Sequence, residues 1–318
     1  MFSEFSLLKK ILETTKESHR NHPALIVPPG DDAALLSPLN RPVISTDCQR
    51  ENVHFKRLWQ SFAEIGYKAV VVALSDLAAS YAGPRCLFIN LGLPDSCSEH
   101  RVMELYEGVK QALTLYGCAL GGGNITSAQE LSLDLFVVGE GECDLFPARS
   151  KALAGEGLYV TGPLGLARAG LLCLEKGCDE FPDLIHSFKK PAARFDAAAV
   201  LLENRIACVM DISDGLSGDA GHIAEASGIS ISFDMAKEHV DPSLARCCER
   251  FGLSAEEMIL AGGEDYELLF TCRPDVFETM KKHLPRAFRV GTCLPFTGAR
   301  LINPPKTCRS FIHGTQEG

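Results

Sequence analysis

No run of apolar residues in this chain approaches the length needed to span a bilayer, so the sequence offers no membrane helix. Cys-x-x-Cys spacing is also missing. The 13 cysteines are scattered and odd in number, which excludes the framework of a small disulfide-rich secreted domain and leaves them read as reduced thiols. Cys247-Cys248 is the only adjacent pair, and no second pair is spaced to complete a zinc site with it. Positive charge is scarce. A formal net charge of −10 argues against general nucleic-acid binding, whose affinity comes mostly from Lys and Arg neutralising phosphates, but it leaves room for an anionic small substrate bridged by metals. The Walker sequence Gly-x-x-x-x-Gly-Lys-[Ser/Thr] does not occur, nor does Gly-x-Gly-x-x-Gly after a strand, so P-loop and Rossmann readings fail. The N-terminal segment lacks secretory character: Glu4, Lys9, Lys10 and Glu13 break up its apolar pattern, so residues 1–15 read as an amphipathic helix of a cytoplasmic protein.

What is present is a globular composition. With 46% hydrophobic and 23% charged residues over 318 positions, the chain supports two domains, placed at 1–150 and 151–318, where composition turns polar and small before a strand restarts at 158. Periodicity predicts helices over 61–80, 98–116, 216–227 and 256–261, with Gly117 and Gly228 as stops. Strands are expected over 43–47, 86–93, 131–138, 158–162, 206–211, 229–233 and 266–272. The fold class is α+β (mixed α/β). On the helix at 61–80, Phe62, Ile65, Ala69 and Val72 form one stripe, with Glu64, Lys68 and Ser75 towards the opposite side. Asp76 falls on the apolar stripe, where a carboxylate must be paired, protonated or bound to a metal. Gly121-Gly122-Gly123 reads as a loop, either a phosphate cradle or plain turn geometry.

Five short acidic clusters carry the chemistry: Gly30-Asp31-Asp32-Ala33, Ser45-Thr46-Asp47, Ser75-Asp76, Asp211-Ile212-Ser213-Asp214-Gly215 and Gly262-Gly263-Glu264-Asp265. Each stands beside apolar residues or a glycine turn rather than in a solvated charge run. Two carboxylates about 4 Å apart repel by roughly 4 kcal/mol at the effective dielectric near a protein surface, so a site that gathers them needs cations. Mg2+ is the usual answer, held by a few carboxylates, waters and substrate phosphates. Each position also has an ordinary reading. Asp214 or Ser213 can cap the helix that follows, Glu264 and Asp265 can be polar residues after a Gly-Gly turn, and His54 can be a satisfied, partly buried histidine.

Taken in order, Gly30-Asp31-Asp32-Ala33-Ala34-Leu35-Leu36, Ser45-Thr46-Asp47, Asn52-Val53-His54-Phe55, Leu74-Ser75-Asp76-Leu77-Ala78, Gly122-Gly123-Asn124, Asp211 to Leu216 and Gly262 to Leu268 closely resemble the thiamine-monophosphate kinase family. That family sits in the group of ATP-dependent enzymes that includes aminoimidazole ribonucleotide synthetase. The resemblance implies a homodimer paired through N-terminal domains, a C-terminal α/β domain completing the active site, and ATP between the two domains of a chain. It implies several Mg2+ ions, with ligands at Asp32, Ser45, Thr46, Asp47, Asp76, Asp211 and Asp214, of which Asp47, Asp76 and Asp214 are assigned the catalytic role. ATP contacts are implied at Tyr116, Gly123, Asn124, Arg149 and Ser213, and thiamine monophosphate contacts at His54, Glu264 and Phe311. The activity implied is phosphorylation of thiamine monophosphate by ATP. Neither nucleic acid nor membrane is an implied partner.

One position departs from the family pattern. Gly-Gly-Asp is usual where this chain has Gly122-Gly123-Asn124, so an expected metal-binding carboxylate is replaced by an amide. Asn124 still offers an oxygen, with one negative charge fewer. Two alternatives stand beside the kinase: a synthetase of the same group, disfavoured by the His54-Phe55 context and by Gly-Gly-Glu-Asp-Tyr-Glu-Leu, and a degenerate nucleotide-binding protein in which Asn124 marks lost catalysis.

Overall fold

The computed structural model describes residues 4–303, and the chain divides into two compact units, one built from residues up to 77 with 82–142, the other from 78–81 with residues 143 onward. The first unit runs α1 (Glu4–Thr14), β1 (Leu25–Val27), β2 (Leu35–Leu36), β3 (Pro42–Arg50), α2 (Phe62–Ala79), β4 (Ala82–Leu93), α3 (Glu99–Tyr116), β5 (Ala119–Ser127) and β6 (Ser132–Gly141). Its main sheet has the order β3-β6-β4-β5, antiparallel except for the parallel β4–β5 pair, while β1 and β2 form a separate two-stranded ribbon. Period-2 alternation sets the faces. Leu133, Leu135 and Val137 of β6 are fully buried with Ile89 and Leu91 of β4, whereas Asp134, Phe136 and Val138 lie on the other face.

Two expectations change here. Lys68 and Ser75, assigned to the polar side of their helix, are both buried, because α2 is covered on nearly every side. The glycine-rich run is not a loop but part of β5. Glycine is required there by close approach: a Cβ on Gly123 would sit 1.8 Å from the backbone oxygen of Ile89 on β4. Having no side chains, the three glycines hide the alternation that marks a strand.

The second unit runs β7 (Gly157–Val160), α4 (Leu166–Lys176), α5 (Pro182–Lys189), α6 (Phe195–Glu203), β8 (Cys208–Asp211), α7 (Leu216–Ser227), β9 (Ile229–Phe233), α8 (Pro242–Phe251), α9 (Ala255–Ala261), β10 (Leu268–Cys272), α10 (Pro274–Met280), β11 (Phe288–Pro295) and β12 (Leu301–Ile302). Six strands form one sheet in the order β12-β9-β11-β7-β10-β8. Both faces are covered, so β7, β8 and β10 are buried throughout their length. Leu158 and Val160 pack with Leu172, Leu216, Ile223 and Leu260 on one side, and Tyr159 and Phe270 pack with Leu201, Phe277 and Met280 on the other. The strand expected from residue 266 begins at Leu268, since Tyr266 has a left-handed backbone (φ 51°) that no strand accommodates.

Candidate active site

In the first unit, β3 and α2 bring three of the sequence-predicted residues to one place. Ser45 and Asp47 are two apart on β3 and share the face that meets α2. The Ser45 hydroxyl donates to Asp76 Oδ2 of α2 at 2.5 Å, which ties the strand cluster to the helix cluster. Asp47 accepts the backbone N–H of Cys48 through Oδ1 at 2.6 Å. Asp47 and Asp76 are half-buried, so neither is withdrawn from a ligand. Thr46 lies on the opposite, open face, and so does Asn124, which pairs in register with Asn90 beside Asp134. Asp31 and Asp32 are exposed on the turn between β1 and β2, where the Asp32 N–H bonds the Asp31 carboxylate. The structure thus joins Ser45, Asp47 and Asp76 and leaves Thr46 and Asn124 on the other side of the sheet.

His54 stands half-buried on the turn after β3. The N–H of Arg50 donates to its Nδ1 at 3.1 Å, which leaves the ring proton on Nε2 as a donor. Below it, Glu51 is buried and accepts from Leu131 N–H and Arg57 Nε, fixing the turn on the sheet. Tyr116 ends α3 and hydrogen-bonds the Tyr67 hydroxyl of α2.

In the second unit, β8 delivers Asp211 at its last position, and the chain turns through Ser213 and Asp214 before α7. Asp214 does not cap that helix. The N-cap is Gly215, which has no side chain with which to cap it. Asp219, one turn inside α7, reaches back instead and accepts the Asp214 backbone N–H. It is 1% exposed, and its Oδ2 has no partner among the described residues. Burial, with the charges of Asp211 and Asp214 beside it, pushes the Asp219 carboxyl up to about 8, opposed by the charge of Arg149. Four groups therefore converge: Asp211, Asp214, Asp219 and Arg149. The Arg149 carbonyl accepts the Ser227 hydroxyl at 2.7 Å, which anchors its short 3₁₀ turn to the end of α7.

The loop carrying Glu264 is stitched to the same segment. Glu264 N–H donates to Ser213 O at 2.8 Å, Tyr266 N–H to Ile212 O at 2.9 Å, and Ile212 N–H to Glu267 O at 2.9 Å. A Cβ on Gly263 would lie 2.2 Å from Ser213 O, so only glycine permits this approach. Glu267 is largely but not fully buried beside Arg194, accepts the Thr161 hydroxyl at 2.5 Å, and is pushed up by desolvation against the opposing pull of Arg194.

Sequence reading missed Asp219, Glu267, Thr161 and Arg194. Asp219 was visible in principle, as an acid three residues after Leu216 on the inward stripe of α7; the Glu267 partners were not, being separated by 106 and 73 residues. Phe311 lies outside the described residues.

Among the described residues, no three histidine, cysteine or carboxylate groups form a ready-made metal cage. The donor sets are of another kind. Asp47 and Asp76 with the Ser45 hydroxyl, and Asp211 and Asp214 beside the orphaned buried oxygen of Asp219, are hard oxygen donors in small groups. Mg2+ is commonly held by one or two carboxylates with water and phosphate in the remaining positions, so these sets fit it.

Comparison with known proteins agrees with both halves of the chain. Residues 30–141 match the AIR synthase related protein N-terminal domain and residues 154–296 the C-terminal domain. The thiamine-monophosphate kinase of Aquifex aeolicus is 37% identical over 76% of this chain and 79% of its own, and that of Bacillus subtilis is 32% identical over 89% of each. The solved structure of AaThiL complexed with AMPPCP and TMP superposes with a TM-score of 0.75 at 32% identity, covering 94% of this chain and 92% of that one.

Proposed function

The chain belongs to the thiamine-monophosphate kinases of the AIR synthase-related family, and on that footing we propose that it transfers the γ-phosphoryl group of ATP to the phosphate of thiamine monophosphate, yielding thiamine diphosphate and ADP. The observation that carries this is similarity over nearly the whole chain to a protein solved with AMPPCP, an ATP analogue, and TMP.

Mg2+ would be held by Asp47 and Asp76 with Ser45 in the first unit, joined by Asp32, and by Asp211 and Asp214 in the second; Thr46, on the opposite face of the sheet, is left out of the set. When bound, the ions would offset the negative charge that gathers as two phosphates approach. The remaining work falls to the chain's own groups. Arg149 offers a planar fork of donors to ATP, beside contacts from Ser213, Gly123, Asn124 and Tyr116. His54 presents Nε2–H to the acceptor phosphate, and Glu264 orients the acceptor. Phe311 is assigned a contact with the thiamine portion. Because the acceptor is a phosphate oxygen already ionised at neutral pH, no general base is required, and transfer proceeds in line without a phosphoenzyme.

The open face of the first sheet supports a homodimer: Ile44 is 67% and Phe136 41% exposed on neighbouring strands, an apolar surface suited to a second copy. The proposed setting is the cytoplasm, where ATP is made; among the described residues no helix is long and apolar enough to cross a membrane.

The test is product analysis of purified protein with ATP, Mg2+ and thiamine monophosphate. Equal amounts of ADP and thiamine diphosphate are expected. ATP binding without thiamine diphosphate would overturn the reading in favour of a degenerate nucleotide-binding protein, the alternative that Asn124 motivates.

A further inference from the structure

The Gly262-Gly263-Glu264-Asp265-Tyr266 segment has an unusual backbone. Glu264 (φ 67°) and Tyr266 (φ 51°) both occupy the left-handed region that residues with a side chain rarely adopt. Such strain persists only where the surroundings over-determine it, and it concentrates at binding sites. The residue between the two strained positions supplies that determination. The Asp265 carboxyl group accepts the backbone N–H of Gly165 at 2.7 Å and of Ala167 at 3.2 Å, so it sits on the N-terminus of the 11-residue helix α4 and satisfies two N–H groups that lack an intrahelical partner. Gly165 is itself left-handed (φ 78°), a conformation glycine adopts without a steric penalty. On the other side the loop is held by Glu264 N–H to Ser213 O and Tyr266 N–H to Ile212 O. The loop is thus fixed between a helix end and the segment that bears Ser213 and Asp214.

We propose that Asp265 is a positioning residue: by binding the α4 N-terminus it holds Glu264 in the left-handed conformation from which Glu264 meets the acceptor, a role that rests on the reading of Glu264 as a thiamine monophosphate contact. The contrast is Asp241, which accepts the N–H groups of Ser243 and Leu244 and caps its own helix α8 locally. Both aspartates stabilise a helix end. Only Asp265, 100 residues from the helix it caps, also fixes a neighbour at the proposed site.

The experiment compares Asp265→Asn with Asp241→Ala, measuring Tm and, separately, KM for thiamine monophosphate, KM for ATP and kcat. Both variants should lose about 2–4 °C in Tm. Asp265→Asn should raise KM for thiamine monophosphate about tenfold with little change in kcat or in KM for ATP, the pattern of lost substrate binding, while Asp241→Ala keeps wild-type constants. A Tm loss matching Asp241→Ala with unchanged KM would reduce Asp265 to a cap and overturn the proposal. If Asp265→Asn does not fold, hydrogen exchange of the wild type decides. Glu264 and Tyr266 amides should be protected together with those of Gly165 and Ala167, and exchange of the loop alone, about a hundredfold faster or more, would break the link. Absence of thiamine diphosphate from the wild type would instead defeat the functional reading, and the exchange data would still report whether the anchor holds.

Discussion

The acidic residues of the two units are used differently. In the first unit, Asp47 and Asp76 stand half-buried on a strand and a helix, Asp76 accepting the Ser45 hydroxyl and Asp47 the backbone N–H of Cys48. In the second, the acids divide into two kinds. Asp211 and Asp214 flank the turn before α7, whereas Asp265 and Glu267 are turned inward, one onto the N-terminus of α4 and the other onto Arg194 and Thr161. A sequence dense in Asp and Glu is therefore part site and part scaffold. The partner chemistry separates them: Asp265 and Glu267 are held by helix N–H groups and a guanidinium, whereas Asp47, Asp76, Asp211 and Asp214 are the acids proposed above to hold a cation.

That separation makes its strongest claim at Asp76. Asp76→Asn keeps the bond from Ser45 but removes a charge, so kcat should fall about 10²–10³-fold, the scale of losing one electrostatic stabiliser of a transition state, with Tm unchanged. A loss of Tm in parallel with kcat would place Asp76 in the scaffold. Arg194→Ala tests the other class. Removing one partner of a fully buried pair costs about 3–5 kcal/mol, and this partly exposed pair should lose less, so the urea midpoint should drop measurably; an unchanged midpoint would show that the Glu267 network holds nothing.

The pH dependence of stability sharpens the same contrast. Burial pushes the Asp265 carboxyl up from 3.8 to about 7, with Glu267 the facing charge and the α4 N–H groups opposing. The folded protein then holds a proton that the unfolded chain has released. Stability from this group is full below about pH 4, declines as pH rises and is lost above about pH 7. Urea unfolding of wild type and Asp265→Asn across that range should differ by this slope; identical profiles would contradict it. The smallest effect is expected at Asn124. Because Asn124 lies on the opposite face of the sheet from Ser45, Asp47 and Asp76, Asn124→Asp should leave the half-saturating Mg2+ within about twofold of wild type, and a clear fall would bring position 124 into the metal set.

Much of the framework was legible because local chemistry and tertiary structure agree. Helix α7 and strand β9 follow the predicted bounds because Gly228 adopts the left-handed conformation that ends a helix and Ile229–Phe233 alternates apolar residues with serines beside a sheet to join. β5 was misread because its glycines answer to the backbone of β4 rather than to their own propensity. The candidate acids stood out as short motifs beside glycine turns, but their division between site and scaffold did not. Asp265 and Glu267 are adjacent in pattern to Glu264, and only contacts with Gly165, Thr161 and Arg194, far away in sequence, reveal what they do.

The most direct test of the account is the Mg2+ dependence of thiamine diphosphate formation in Asp47→Asn and Asp211→Asn, measured side by side with wild type. If each unit supplies carboxylates to bound cations, both variants should need about tenfold more Mg2+ for half-maximal rate and remain folded. Wild-type Mg2+ dependence with thiamine diphosphate still formed, in either variant, would contradict the assignment of that unit's acids to the metal.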